Sequence, residues 1–201
     1  MLKEIQGFGD MAEVSYGTSV TSGESVGIEG YYHVECRDKE GNFKWSESFP
    51  NLVNAIGKEL LLDTLLRTSG TYTTVGPFLG LINSSPTFLA ADTMTSHAGW
   101  TEFIAYTVRA SPVRGTAVYA ASTSSGLSPA NITSSLATAI TYTITGAGGT
   151  VAGCFLVTGA GAVSTQSSTA GTLYSAGAFA TAKITTVGDT VSVTYSTTAT
   201  S

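Results

Sequence analysis

Apolar and polar residues alternate with the period of a β-strand in several parts of this chain. Between Tyr31 and Arg37, one side carries Tyr32, Val34 and Cys36, and the other carries Tyr31, His33, Glu35 and Arg37. The polar run Asp38-Lys39-Glu40-Gly41-Asn42 follows, with turn-forming chemistry. Alternation resumes from Phe43 to Phe49, with Phe43, Trp45 and Glu47 on one side. The pattern predicts a β-hairpin over 31–49. Pro50 ends it, because proline has no N–H to give to a ladder.

The period then lengthens. Asn54 is a good helix N-cap, and a helix is predicted from Ala55 to Arg67. Ile56, Leu60, Leu61 and Leu65 form its apolar face, opposite Lys58, Glu59, Asp63 and Arg67. Leu62 and Leu66 widen the apolar side, so burial on more than one flank is expected. Gly70 closes the unit.

Strand signals dominate from there. Thr71 to Ile82 reads as a β segment broken at Gly76-Pro77, and Phe78–Ile82 is a short apolar run suited to a buried strand. A loop over Asn83–Thr87 precedes a strand at Glu102–Arg109. Further strands are expected at Thr116–Ala121, Ala137–Thr145, Val151–Thr158, Ala178–Thr186 and Thr190–Ser196. Turns fall at Gly146–Gly149 and Val187–Asp189. Short strands at this spacing, separated by Gly- and Ser-rich turns, predict a mainly β protein: a β-sandwich or jelly-roll-like domain over 29–201 that includes the hairpin and one α-helix. No strict internal repeat suggests a solenoid.

Residues 1–28 keep no period, and glycines interrupt every candidate element. They read either as an extended arm or as a solvated terminus. Ile5, Phe8, Val14, Tyr16 and Val20 are apolar enough to make an arm that contacts a neighbouring subunit the working expectation. The segment has early acids and no apolar core of the kind a secretory signal needs.

Composition sharpens the picture. The 201 residues fit one ordinary domain, with or without an arm. Apolar residues make up 42%, enough for a core, but charged residues are only 11%, well under the usual quarter. A net charge of −5 offers no basic patch, so no nucleic-acid partner is expected. No apolar run reaches membrane-spanning length, so no membrane partner is expected either. Cys36 and Cys154 form one disulfide or two buried thiols, and the lack of an export signal favours thiols.

Candidate chemistry concentrates in Asp92–Tyr106, where acid, imidazole, hydroxyl and indole crowd together. Asp92, Ser96 and His97 invite a catalytic-triad reading. Yet adjacent residues on extended backbone point to opposite faces, and no nucleophile elbow surrounds Ser96. The expected roles are structural: Asp92 caps a turn, and His97 satisfies backbone groups beside Trp100, with Glu102 in the same motif. No catalytic residue is expected. Two Cys and two His without short spacing give no zinc pattern, and no Gly-rich phosphate loop precedes a lysine, so no metal or cofactor is expected. The Thr- and Ser-rich half after Ala110 favours strands whose faces stay wet without charge. Such a face suits either a soluble sandwich or contact with other subunits.

Several blocks together carry a resemblance. These are Trp45–Glu47, Asn51–Asn54 leading into Gly57, Phe78–Ile82, Asp92–Glu102 with Tyr106, Gly171–Tyr174 with Phe179, and Val187–Tyr195. In these the chain resembles a family of tailed-phage virion structural proteins. The family's Arg-Pro after the tyrosine is looser here, as Arg109-Ala-Ser-Pro112. The resemblance implies a non-enzymatic capsid cement or decoration protein on the phage head surface, made in the host cytoplasm. Its partners would be the major capsid protein and further copies of itself, as dimer or trimer. A tail or neck component of the virion is the alternative it leaves open.

Overall fold

The computed structural model describes residues 27–66, 75–83, 86–125 and 131–200. Ile5, Phe8, Val14, Tyr16 and Val20 lie outside the described residues, as do Arg67, Gly70 and Thr71. In chain order the elements are β1 (Gly27–Arg37), β2 (Phe43–Pro50), β3 (Leu52–Val53), α1 (Ala55–Leu66), β4 (Phe78–Asn83), β5 (Thr101–Phe103) and β6 (Tyr106–Thr107). They continue with β7 (Gly115–Thr116), β8 (Thr123–Ser125), β9 (Asn131–Ser135), β10 (Ile140–Ile144), β11 (Gly149–Thr158), β12 (Thr172–Thr185) and β13 (Thr190–Thr200).

These strands form two antiparallel sheets, and the protein is mainly β as the sequence indicates. The seven-stranded sheet runs β2-β1-β13-β10-β6, with β9 also on β13 and β8 on β9. The six-stranded sheet runs β3-β12-β11-β4-β5, with β7 also on β4. Between the sheets lies one core. Tyr32, Val34, Cys36, Tyr142, Val191 and Val193 from the first sheet meet Leu79, Leu81, Cys154 and Leu156 from the second. Both cysteines are free buried thiols, and desolvation raises the Cys36 thiol pKa to about 11.

The two sheets differ in their outer faces. β1 and β10 alternate buried and exposed residues, as strands with one wet face must. β11 is buried at nearly every position, and β4 through its middle. A second core covers their outer side, built from Ile82, Met94, Trp100, Phe155, Val157 and Leu173. The apolar runs at Phe78–Ile82 and Val151–Thr158 are thus explained by burial on both faces.

Several boundaries shift. The hairpin closes where Asp38 Oδ1 accepts the Glu40 and Asn42 N–H groups. Its second strand extends through Pro50, which sits opposite Tyr31 on the ladder. The expected strand at 102–109 splits into β5 and β6, which belong to different sheets. Arg109 and Ala110 take positive φ (49° and 62°) in the tight turn beyond. Of 116–121, only Thr116 is in a strand, while Tyr119 makes an isolated bridge to Leu136. β12 begins at Thr172, six residues before the expected start, because small residues such as Ser175, Ala176 and Gly177 pack where no alternating signal exists. Gly188 takes the positive φ that the 187–189 turn requires.

The helix is buried on one side, not two. Leu62 and Leu66 are 59% and 75% exposed, against the expected second apolar flank. Close approach to β12 fixes the contact side: a Cβ on Gly57 would stand 2.6 Å from the Tyr174 carbonyl oxygen. Among the described side chains of the helix, Leu61 packs against the main core, and Leu62 and Leu66 stand in water. Asn54 occupies the N-cap position through its backbone, its carbonyl accepting the Gly57 and Lys58 N–H groups. Its side chain does not cap the helix; Nδ2 donates to the Leu89 carbonyl instead.

Candidate functional site

The block from Asp92 to Glu102 lies on the outer face of the six-stranded sheet. Asp92 Oδ2 accepts the Leu89 N–H, closing a turn whose Ala90 carbonyl receives the Ala55 N–H at the start of α1. A second tight turn joins Thr93 and Ser96 by reciprocal backbone bonds, so Ser96 and His97 do not sit on extended backbone as expected. The His97 ring stacks on Trp100 at 3.9 Å between centroids, with Nδ1 3.0 Å from the Trp100 carbonyl oxygen. Trp100 in turn packs on Phe155 and Phe88. Asp92, Ser96 and His97 are therefore not brought into a relay: the carboxylate and the imidazole spend their hydrogen bonds on local backbone.

Glu102 has a partner that sequence reading missed. Arg114, 1% exposed, reaches it in fork geometry, with Nε 2.9 Å from Oε1 and Nη2 2.7 Å from Oε2. The Ser167 N–H adds a bond to Glu102, from a residue held at φ 60°, and the Ser168 carbonyl accepts a bond from Arg114. The guanidinium sits 5.0 Å from the Phe155 ring centroid. Two buried charges thus tie β5, the 111–114 segment and the 159–171 loop over the second core. The available signal was Arg114's isolation, since charged residues are rare after Ala110.

That isolation has a counterpart in the other late charges. After Ala110 the charged residues are Arg114, Lys183 and Asp189. Each pairs with a residue from before Ala110: Arg114 with Glu102, Lys183 with Glu47 at 2.9 Å, and Asp189 with Lys44. Desolvation pushes the Asp189 carboxyl pKa up, but the Lys44 ammonium and the Thr186 N–H outweigh it and hold the carboxyl below its ordinary value. Glu47 behaves alike, with Lys183 and the Ala180 N–H overcoming its desolvation.

The outer face of the seven-stranded sheet has other chemistry. Thr190, Ser192, Thr194, Ser196 and Thr198 stand on the side of β13 opposite the core residues Val191, Val193 and Tyr195. Thr141 and Thr143 on β10 lie opposite Ser192 and Thr190, and Thr133 on β9 lies opposite Thr198. Hydroxyl pairs bridge strands at Thr133–Thr198 (3.1 Å) and Thr141–Ser192 (3.3 Å). Among the described residues, β1 brings charge to this face through Glu29, Glu35 and Arg37, the last two paired at 2.6 Å.

A third surface lies at one end of the sandwich, where the turns at 38–42, 145–148 and 186–189 gather. Phe43, Ile104, Ile184 and Val187 are all exposed near this end. Among the described residues, no group of three or more His, Cys, Asp or Glu is placed to hold a metal, and no helix is long and apolar enough to cross a membrane. No protein-family model, curated protein or solved structure matches the chain.

Proposed function

We propose that this chain is a virion structural protein, a capsid cement or decoration protein that binds the assembled head of a tailed phage. The phage setting rests on the resemblance in the sequence blocks quoted above; the docking role rests on the surface. The observation that carries it is the exposed apolar set Phe43, Ile104, Ile184 and Val187 at the turn end. Large apolar side chains left exposed near one end of a domain mark a candidate protein contact, and here they lie beside the charged turn Asp38-Lys39-Glu40. The occupant is the major capsid protein at a junction between subunits, with self-association as dimer or trimer multiplying the contacts. Binding to the assembled shell and not to free subunits stabilises the shell by mass action. No catalytic step is part of this reading.

The test is sedimentation of purified protein with shells that lack it. The intact chain is expected to pellet with shells at saturating stoichiometry. A Phe43→Ser/Val187→Ser variant should fold with an unchanged denaturation midpoint and fail to pellet. Removal of residues 1–26 examines the expected arm separately. A wild-type chain that stays in the supernatant ends the proposal. Copy number in intact particles separates the head from the alternative: many copies tracking the capsid lattice mean decoration, whereas a single ring means tail or neck.

A further inference from the structure

On the hydroxyl face of the seven-stranded sheet, far from the covered second core, lies a shallow depression of about 210 Å³. Tyr31, His33, Ser48, Ser135, Thr194 and Ser196 surround it. The ladder explains their meeting: Tyr31 is opposite Ser196, which is opposite Ser135, and His33 lies between Ser48 and Thr194. Six residues from four strands thus form one patch.

Its chemistry is specific. Tyr31 is 52% exposed, an aromatic ring standing in water on an otherwise hydroxyl-coated face. Ser48 Oγ is 2.8 Å from His33 Nδ1, which leaves Nε2 as the ring nitrogen for a ligand. Each serine or threonine hydroxyl both donates and accepts. A flat aromatic face carries partial negative charge, which attracts the slightly positive C–H groups on one side of a pyranose ring. A sugar's hydroxyls in turn need neutral partners that donate and accept. On the same face β1 carries Glu29 and the Glu35–Arg37 ion pair (2.6 Å), so this strand offers no net positive charge to draw an anionic ligand.

We infer that this patch binds a neutral glycan, with a pyranose stacked on Tyr31 and its hydroxyls bonded to His33, Ser48, Thr194 and Ser196. The inference does not rest on the capsid reading, since the patch lies away from the turn end, and either can fail alone. A shallow, open site gives millimolar affinity, useful when many copies are displayed together.

The experiment is an amide chemical-shift titration of the whole chain with a panel of neutral oligosaccharides (maltohexaose, cellohexaose and mannohexaose) and with polysialic acid as the anionic arm. At least one neutral sugar should give saturable shifts centred on residues 31, 33, 48, 194 and 196. Tyr31→Ala should weaken binding by roughly tenfold, and Tyr31→Phe should preserve it. Because Tyr31 is exposed, an unchanged pattern of remaining amide signals shows that Tyr31→Ala folds. The inference is overturned if no neutral sugar shifts these residues at tens of millimolar, if the shifts centre elsewhere, if Tyr31→Ala binds as well as wild type, or if polysialic acid binds more tightly.

Discussion

The outer faces of the two sheets answer the same problem in opposite ways. Both sheets bury their inner faces in one core. The six-stranded sheet hides its outer face too, under Trp100, Met94 and the 159–171 loop, and must then manage a buried ion pair. The seven-stranded sheet leaves its outer face in water, coated with threonine and serine that satisfy one another across strands. The covered face is apolar and closely packed, and substitutions there are expected to be costly. The bare face is expected to contribute less to stability and to tolerate change.

The comparison breaks most visibly at the covered face. Glu102→Gln leaves Arg114 charged and buried without its counter-charge, and should cost about 3–5 kcal/mol in urea denaturation. The matching change on the bare face, Glu35→Gln, should cost under about 0.5 kcal/mol. Adding Arg114→Met to Glu102→Gln should recover much of the loss, since it removes the buried charge left without its counter-charge. A double variant no more stable than Glu102→Gln alone would mean that the guanidinium's packing on Phe155 matters more than its charge. Trp100→Ala should cost a similar ~3–5 kcal/mol by emptying the second core.

Acid probes the ties between the sheets. Lys44 and Glu47 lie on β2 of one sheet, Lys183 on β12 of the other, and Asp189 in the turn that joins them. Asp189 and Glu47 both hold folded pKa values below their unfolded ones of about 3.9 and 4.3. Their contribution is present in full above those unfolded values and drains as pH falls through the lower folded values. Asp189→Asn should flatten that acid limb in thermal melts from pH 6 downward and cost about 1.5–3 kcal/mol at neutral pH. An acid limb of unchanged slope would assign it to other carboxylates.

Smaller effects sharpen the contrast. A Cβ on Gly80 would stand 2.4 Å from the Phe155 ring, so Gly80→Ala should overpack the covered face by about 1–3 kcal/mol. Thr141→Val on the bare face removes one exposed hydroxyl pair and should stay within about 0.5 kcal/mol. A much larger loss there would show that the hydroxyl ladders hold the sheet together.

Part of this contrast was readable from sequence. Alternation at Tyr31–Arg37 and Thr190–Ser196 marks strands with one wet face, and the continuous apolar runs mark strands covered twice. The helix misled because Leu62 and Leu66 fit an apolar stripe, while only contact at Gly57 decides which side touches β12. Arg114 was visible as an isolated charge, but not its partner: Glu102 is twelve residues away and they meet only because β5 and the 111–114 segment fold against the same sheet.

Local sequence by itself determined strand periodicity, the turn glycines and the scarcity of charge, because those depend on backbone sterics and on which side chains tolerate water. Tertiary packing alone decided which sheet each strand joined, which opposite charges met across the chain, and which exposed ring acquired a ring of hydroxyls. Those outcomes depend on contacts between residues from a dozen to more than a hundred positions apart, and no local pattern encodes them.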